Sequence, residues 1–246
     1  MKLNKKVVAM ALAVSCFSLN TMAAMAAETY SYNSNAAITF ESSTEVTLPV
    51  DPENPGNPVT PVGPTDPGTP GPLSIDFVSS FNFGNQKIST QDKTYYAMAQ
   101  KVTLADGVTI AERPNYVQVT DNRGTEAGWT LSVKQNDIFT STADSAHTLP
   151  GATIKINTIN VNTTSASPVP GTVASSILLN TSDKTVMAAA EGEGAGTYIA
   201  KFGDMSNAAR SVELFVPGSI TKYAETYRTT ITWSLSDTPE NAIVTP

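Results

Sequence analysis

Gly128-Trp129-Thr130-Leu131-Ser132-Val133 and, further along the chain, Thr232-Trp233-Ser234-Leu235-Ser236 hold the only two tryptophans of the protein, each followed two residues on by leucine. Successive side chains of an extended strand point to opposite faces. Trp129, Leu131 and Val133 therefore share one face, and Thr130, Ser132 and Lys134 the other. In the second stretch Tyr227, Thr229, Ile231, Trp233 and Leu235 alternate with Arg228, Thr230, Thr232, Ser234 and Ser236. Uninterrupted alternation of this kind marks half-buried antiparallel strands, with one face on a core and the other toward water.

Working outward, residues 73–242 are rich in Thr, Val, Ile, Tyr and Ser and show no sustained 3.6-residue period. Strands are expected at 74–83, 94–104, 116–120, 128–134, 153–161, 173–179, 185–189, 196–202, 211–216 and 227–236. The turn signals between them are Ala105-Asp-Gly107, Asp121-Asn-Arg-Gly124, Pro150-Gly151, Pro170-Gly171, Glu191-Gly-Glu-Gly194 and Pro217-Gly218. A short helix has room only at 181–190 or 203–209. Many short alternating strands with regular turns predict an all-β domain, a β-sandwich or Greek-key arrangement, over residues 73–246.

Three segments precede it. Lys2, Lys5 and Lys6, the apolar run Val7 to Leu19 and the small-residue site Ala24-Met25-Ala26 read as a signal peptide over 1–27. That run is short for a membrane span, and no later stretch approaches ~18 consecutive apolar residues, so the mature chain is expected to have no membrane helix. Residues 28–48 form a short segment with one strand candidate at 37–40, read as a leader or, through Ile38 and Phe40, as a strand available for addition to a sheet edge. In residues 49–72 a proline recurs at every third position from Pro49 to Pro70, with Pro72 closing the run. Polyproline II has three residues per turn, so the expectation is a Pro-rich spacer of roughly 70 Å if straight.

The formal charge is −7, and loss of the three leader lysines makes the mature chain more acidic still. Nucleic acid is disfavoured because phosphate contacts need a basic stripe. Simple charge attraction to other polyanions is disfavoured for the same reason. The single cysteine, Cys16, lies in the leader behind Ala13-Val14-Ser15, a poor lipobox. Neither disulfides nor thiol chemistry are then expected of the mature protein.

Catalytic constellations are sparse. The only histidine, His147, has no cysteine near it, which argues against zinc. A Ser-His-Asp arrangement would need an acid such as Asp144 beside His147, and there is no Gly-x-Ser-x-Gly elbow. Glu191-Gly-Glu-Gly194 reads as a mobile loop tip without the lysine of a phosphate loop. Asp121 and Asn122 lack EF-hand spacing. Leu149-Pro-Gly-Ala-Thr153 only faintly matches a sortase signal and sits mid-domain. The expectation is a protein that is not an enzyme and carries no cofactor or metal.

The doubled Trp-x-Leu, the run Tyr116-Val-Gln-Val-Thr-Asp-Asn-Arg-Gly124 and the close Trp233-Ser-Leu-Ser-Asp-Thr-Pro239 resemble the WxL-domain surface proteins of low-GC Gram-positive bacteria, over roughly residues 28–246. The resemblance implies a secreted protein held non-covalently on the cell wall, through peptidoglycan or another wall component or through membrane-anchored surface partners. A β-sandwich adhesin for host or environmental ligands is the alternative. Larger members of that family carry cargo before the linker; here the domain is nearly the whole mature chain, which implies an assembly subunit or wall-coating component.

The resemblance nominates Trp129, Leu131, Trp233 and Leu235 as binding residues. Strand parity instead assigns them to the core, since large aromatics are usually well buried. On the opposite face Thr130, Ser132, Thr232 and Ser234 form a hydroxyl-rich surface suited to glycan contacts or to ordinary solvation. Asp121, Arg123 and Gly124 read as a turn device, Gly124 supplying a special backbone angle and Arg123 pairing with an acid such as Asp237.

Overall fold

β-Branched and hydroxyl residues in period two leave the backbone few alternatives to pleated strands, and the computed structural model, which describes residues 29–239, contains strands and no helix among those residues. In chain order they are β1 (Thr60–Pro61), β2 (Leu73–Val78), β3 (Lys93–Tyr96), β4 (Gln100–Thr103), β5 (Ile110–Arg113), β6 (Tyr116–Asp121), β7 (Trp129–Gln135), β8 (Thr140–Ser141) and β9 (Thr153–Asn157). There follow β10 (Ile159–Thr163), β11 (Thr172–Val173), β12 (Ser176–Leu178), β13 (Lys184–Ala189), β14 (Gly196–Phe202), β15 (Val212–Val216), β16 (Tyr227–Arg228) and β17 (Ile231–Ser236). The expected leader 1–27 with Cys16 lies outside the described residues. The chain divides into two units, 1–39 and 40–246. In the first, residues 29–39 are exposed and without regular secondary structure.

All-β class holds, but the strands do not sort into two facing sheets. Three four-stranded antiparallel sheets, ordered β10-β14-β6-β2, β11-β13-β7-β17 and β12-β9-β15-β3, share one core with a three-stranded sheet β1-β4-β5 and the pair β16-β8 beside them. Val117 and Val119 from the first, Trp129, Leu131 and Met187 from the second, and Ile154, Ile156 and Leu214 from the third meet in that core. Four of the long strands expected from sequence are divided, and each pair of fragments goes to different sheets. Residues 153–161 break at Thr158, which takes φ 54°, so β9 and β10 join separate sheets. Residues 94–104 break between β3 and β4, 173–179 between β11 and β12, and 227–236 between β16 and β17. A strand that turns a corner serves two sheets, and the bend can shift its parity: the buried residues are Ile154 and Ile156 before Thr158 and Ile159 after it. The two helix sites are corrected as well: Lys184–Ala189 is a strand and 205–210 is a series of turns.

The expected polyproline rod does not extend over residues 49–62. Asp51 N–H donates to Asn57 O at 2.9 Å, Val50 bridges Pro58, and Thr60–Pro61 pairs with β4. This strap lies on the outer face of the β10-β14-β6-β2 sheet. Gln118, fully buried on β6, accepts the Val50 N–H at 2.8 Å and donates to Leu48 O at 3.1 Å. Asp51 takes a two-pronged contact from Arg113, both bonds 2.7 Å, and Lys201 reaches Glu53 at 3.0 Å. Val50 closes a second small cluster of Phe77, Tyr116 and Ile199. Strand β6 is therefore buried on both faces. A bulge between Ile75 and Phe77 turns Asp76 onto the same outer face, where it accepts from Ser74, Gln118 and Thr120 at 2.6, 2.9 and 2.6 Å. Burial raises the Asp76 carboxyl above its usual range despite those three donors.

Candidate functional site

Strands β7 and β17, which carry the two Trp-x-Leu motifs, are hydrogen-bonded neighbours in antiparallel register. Leu131 lies opposite Leu235, Val133 opposite Trp233, Ser132 opposite Ser234, Thr130 opposite Ser236 and Lys134 opposite Thr232. Paired residues of an antiparallel ladder point the same way, so register merges the two local alternations into one continuous two-sided surface.

The apolar side faces the core, and its two tryptophans differ. Trp129 is 0% exposed, and its indole N–H donates to Gly194 O at 2.9 Å. Its ring lies 6.2 Å from that of Tyr198, whose hydroxyl donates to Ser167 O at 2.7 Å. Two glycines make the space. Gly128 has φ 78°, and a Cβ there would strike the Ala189 and Ala190 backbone; Gly194 has φ 79°, and a Cβ there would meet the Trp129 ring at 2.6 Å. Trp233 is half-buried at the sheet edge, stacked on Phe202 with ring centres 5.9 Å apart. Leu131 is fully buried, Leu235 half-buried. The loop expected to be mobile is instead packed: the Glu193 carboxylate accepts from Gly171 N–H at 2.7 Å and Ala190 N–H at 3.1 Å, holding Gly194 over the indole.

The other side gathers Thr130, Ser132, Lys134, Thr232, Ser234 and Ser236, extended by Thr185 of β13 opposite Ser132. Its hydroxyls bond sideways: Thr130 Oγ1 donates to Thr238 O at 2.9 Å, Ser132 Oγ to Ser234 O at 3.4 Å, and Thr232 Oγ1 to Asn136 Oδ1 at 3.0 Å. One cation, Lys134, sits 3.5 Å from the exposed Asp183. Hydroxyls anchored through their own hydrogens keep acceptor lone pairs directed outward, and the surface carries little net charge.

The motif turn is built differently from expectation. Gly124 does take positive φ, 73°. Arg123, however, forks onto Asp121 at 2.9 and 2.7 Å and donates to Gly128 O at 2.7 Å, with Asp237 only a neighbouring charge. The bond from the guanidinium to Asp121 keeps Arg123 firmly charged. Asp121 is buried, so this fork ties the end of β6 to the start of β7.

His147 stacks on Tyr223 at 3.6 Å, with Nδ1 3.0 Å from Glu225 and Nε2 3.7 Å from Asp144. The Ser141 hydroxyl donates to Glu225 at 2.6 Å rather than to the imidazole. That hydrogen bond, followed by the one to His147, holds the Glu225 carboxyl below its ordinary range. The cluster therefore lacks the serine-to-histidine bond that a nucleophile needs. The partners of Glu225 are remote in the chain, and no local sequence pattern marks it. Among the described residues no group of three or more His, Cys, Asp or Glu side chains is placed to hold a metal.

A family profile described as a WxL domain, surface cell wall-binding, matches residues 27–239, a span that includes both paired motifs and the turn before them. No curated protein and no solved structure matches the chain.

Proposed function

The chain belongs to the WxL family of surface cell wall-binding domains, and from that premise we propose that it is a non-enzymatic, secreted protein held non-covalently on the wall by its hydroxyl-rich sheet face. The observation that carries this reading is the register of β7 and β17, which brings Thr130, Ser132, Thr232 and Ser234 together on one nearly neutral surface. Glycan strands offer dense hydroxyl and amide groups and no strong charge, so a surface of outward acceptors and one lysine complements them by short-range hydrogen bonding. The acidic chain gains nothing from an anionic wall by long-range attraction, which favours such a contact. Peptidoglycan is the proposed wall component. A membrane-anchored surface protein adding its own sheet to the same face is the second reading, supported by the small, nearly uncharged side chains of that face.

Pull-down on purified, protein-free sacculi tests this. Retention of the mature chain, lost on replacing Ser132 and Ser234 by glutamate, supports a glycan-facing surface. Retention on intact cells alone transfers the receptor role to a protein, and solubilised muropeptides would overturn the non-enzymatic reading.

A further inference from the structure

Strand β17 is the last strand of its sheet, and its outer edge is unpaired among the described residues. The Asn136 N–H donates to Thr230 O at 2.9 Å, which fixes the phase of the ladder: Thr230, Thr232, Ser234 and Ser236 bond toward β7. The N–H and C=O groups of Ile231, Trp233 and Leu235 consequently point away from it. Along its own length the edge is not blunted. It carries no lysine, proline or bulge over Ile231–Ser236. The core beneath it is open too: Trp129, Leu131 and Val133 on β7 are fully buried, whereas Ile231, Trp233 and Leu235 are each half-buried. One more strand would both satisfy the three outward amides and cover those side chains.

The same chain carries a strand-like segment with no sheet to join. Within residues 36–42, Ala-Ala-Ile-Thr-Phe-Glu-Ser, the run Ile38-Thr39-Phe40-Glu41 alternates apolar and polar, with Ile38 78% and Phe40 86% exposed. It is one residue longer than β17, and the parity of Ile38 and Phe40 matches the sheet. With Ile38 and Phe40 on the side of Trp233 and Leu235, Thr39 and Glu41 fall on the hydroxyl side. A conformation that leaves both a bare alternating segment and a bare edge has unburied apolar area at two places.

We propose that residues 36–42 of one copy add as a strand to the β17 edge of a second copy, so that the protein self-associates on the surface it coats. Main-chain bonds from Ile231, Trp233 and Leu235 provide the pairing, and Ile38 and Phe40 close the core beside Trp233. Reciprocal exchange closes a two-fold dimer; one-way addition propagates a chain. This inference stands independently of which wall component is bound, since it uses the edge of the sheet and not its hydroxyl face.

The test is analytical ultracentrifugation of the full mature chain, with amide hydrogen exchange read at β17. Association that rises with concentration, disappears on deleting residues 36–42, and coincides with slowed exchange at Ile231, Trp233 and Leu235 is the expected result. A synthetic peptide of residues 34–44 should restore that protection in the deleted chain, a readout that does not depend on the deletion's own stability. A monomer at all concentrations, association that survives the deletion, or protection of the three amides in a monomer would each overturn exchange between copies.

Discussion

Leu131 and Leu235, the leucines of the two Trp-x-Leu motifs, lie directly opposite one another on adjacent antiparallel strands. The motif is thus one composite structure rather than two repeats. Its tryptophans take unequal shares, Trp129 inside and Trp233 at the rim.

That inequality predicts unequal costs. Trp129→Ala should destabilise the protein by about 3 to 5 kcal/mol, the range for removing a fully buried large aromatic. Trp129→Phe retains much of the apolar burial but leaves Gly194 O unbonded, at a cost of about 1 to 3 kcal/mol. Trp233→Ala should fall below the Trp129→Ala value because part of its surface is already in water. Urea unfolding of the three variants decides this, and equal losses for the two tryptophans would contradict the placement.

Glycines around Trp129 should be similarly graded. Gly128→Ala and Gly194→Ala combine positive φ with a colliding Cβ, so each should cost more than the ~1 to 3 kcal/mol of ordinary overpacking. Gly124→Ala has open space and bears only the backbone penalty, about 1 kcal/mol. Thermal melts in that order are the expected outcome.

The strap over β6 predicts that residues 49–62 belong energetically to the domain. Arg113→Ala leaves the buried Asp51 carboxylate without its partner, a situation that costs about 3 to 5 kcal/mol. Replacing the pair together, Asp51→Asn with Arg113→Met, should recover much of that loss. Chemical denaturation of the single and double variants measures it, and a harmless Arg113→Ala would show that the strap is only loosely laid.

Two carboxyls give opposite pH dependences. Burial pushes Asp51 up, but the Arg113 hydrogen bond and charge and two backbone donors outweigh it, leaving its folded pKa below the unfolded one. Its contribution is present above the usual carboxyl pKa of about 3.9 and is lost as pH falls through the depressed folded value. Asp76 is raised instead, so the fold binds its proton more tightly and stability falls as pH rises from about 3.9 through the raised value. Asp76→Asn keeps an acceptor oxygen for Gln118 and Thr120, turns its amide N–H toward Ser74 Oγ as acceptor, and should remove that decline, measured as the melting temperature across weakly acidic pH. An unchanged profile would rule out the buried carboxyl as its source.

Within the binding proposal, Thr130→Glu with Thr232→Glu should abolish retention on sacculi while leaving the melting temperature within a few degrees. Both side chains lie at the polar face of the paired strands. Loss of retention from Trp233→Ala in a variant that stays folded would move the contact to the sheet edge.

The alternation Trp129-Thr130-Leu131-Ser132-Val133 was sufficient to assign each side chain to a face, because period two is a property of the backbone alone. Likewise, Gly124 announced its positive φ from its place in Asp-Asn-Arg-Gly. Proline spacing misled over 49–62: three-residue periodicity describes what the chain does unaided, whereas Gln118, Arg113 and Lys201 supply partners from elsewhere in the chain. Glu225 beside His147 and Gly194 over Trp129 were invisible for the same reason.

By itself, then, the sequence determined the all-β class, the inward and outward residues of the two Trp-x-Leu strands, and membership of a surface cell wall-binding family. Only tertiary structure decided that the two Trp-x-Leu strands are neighbours, that strands divide at corners such as Thr158, and that one tryptophan is sealed while the other sits at an open edge. Side-chain parity is local and survives any pairing. Which strand lies beside which is set by burial summed over residues far apart in the chain, and no short stretch carries that sum.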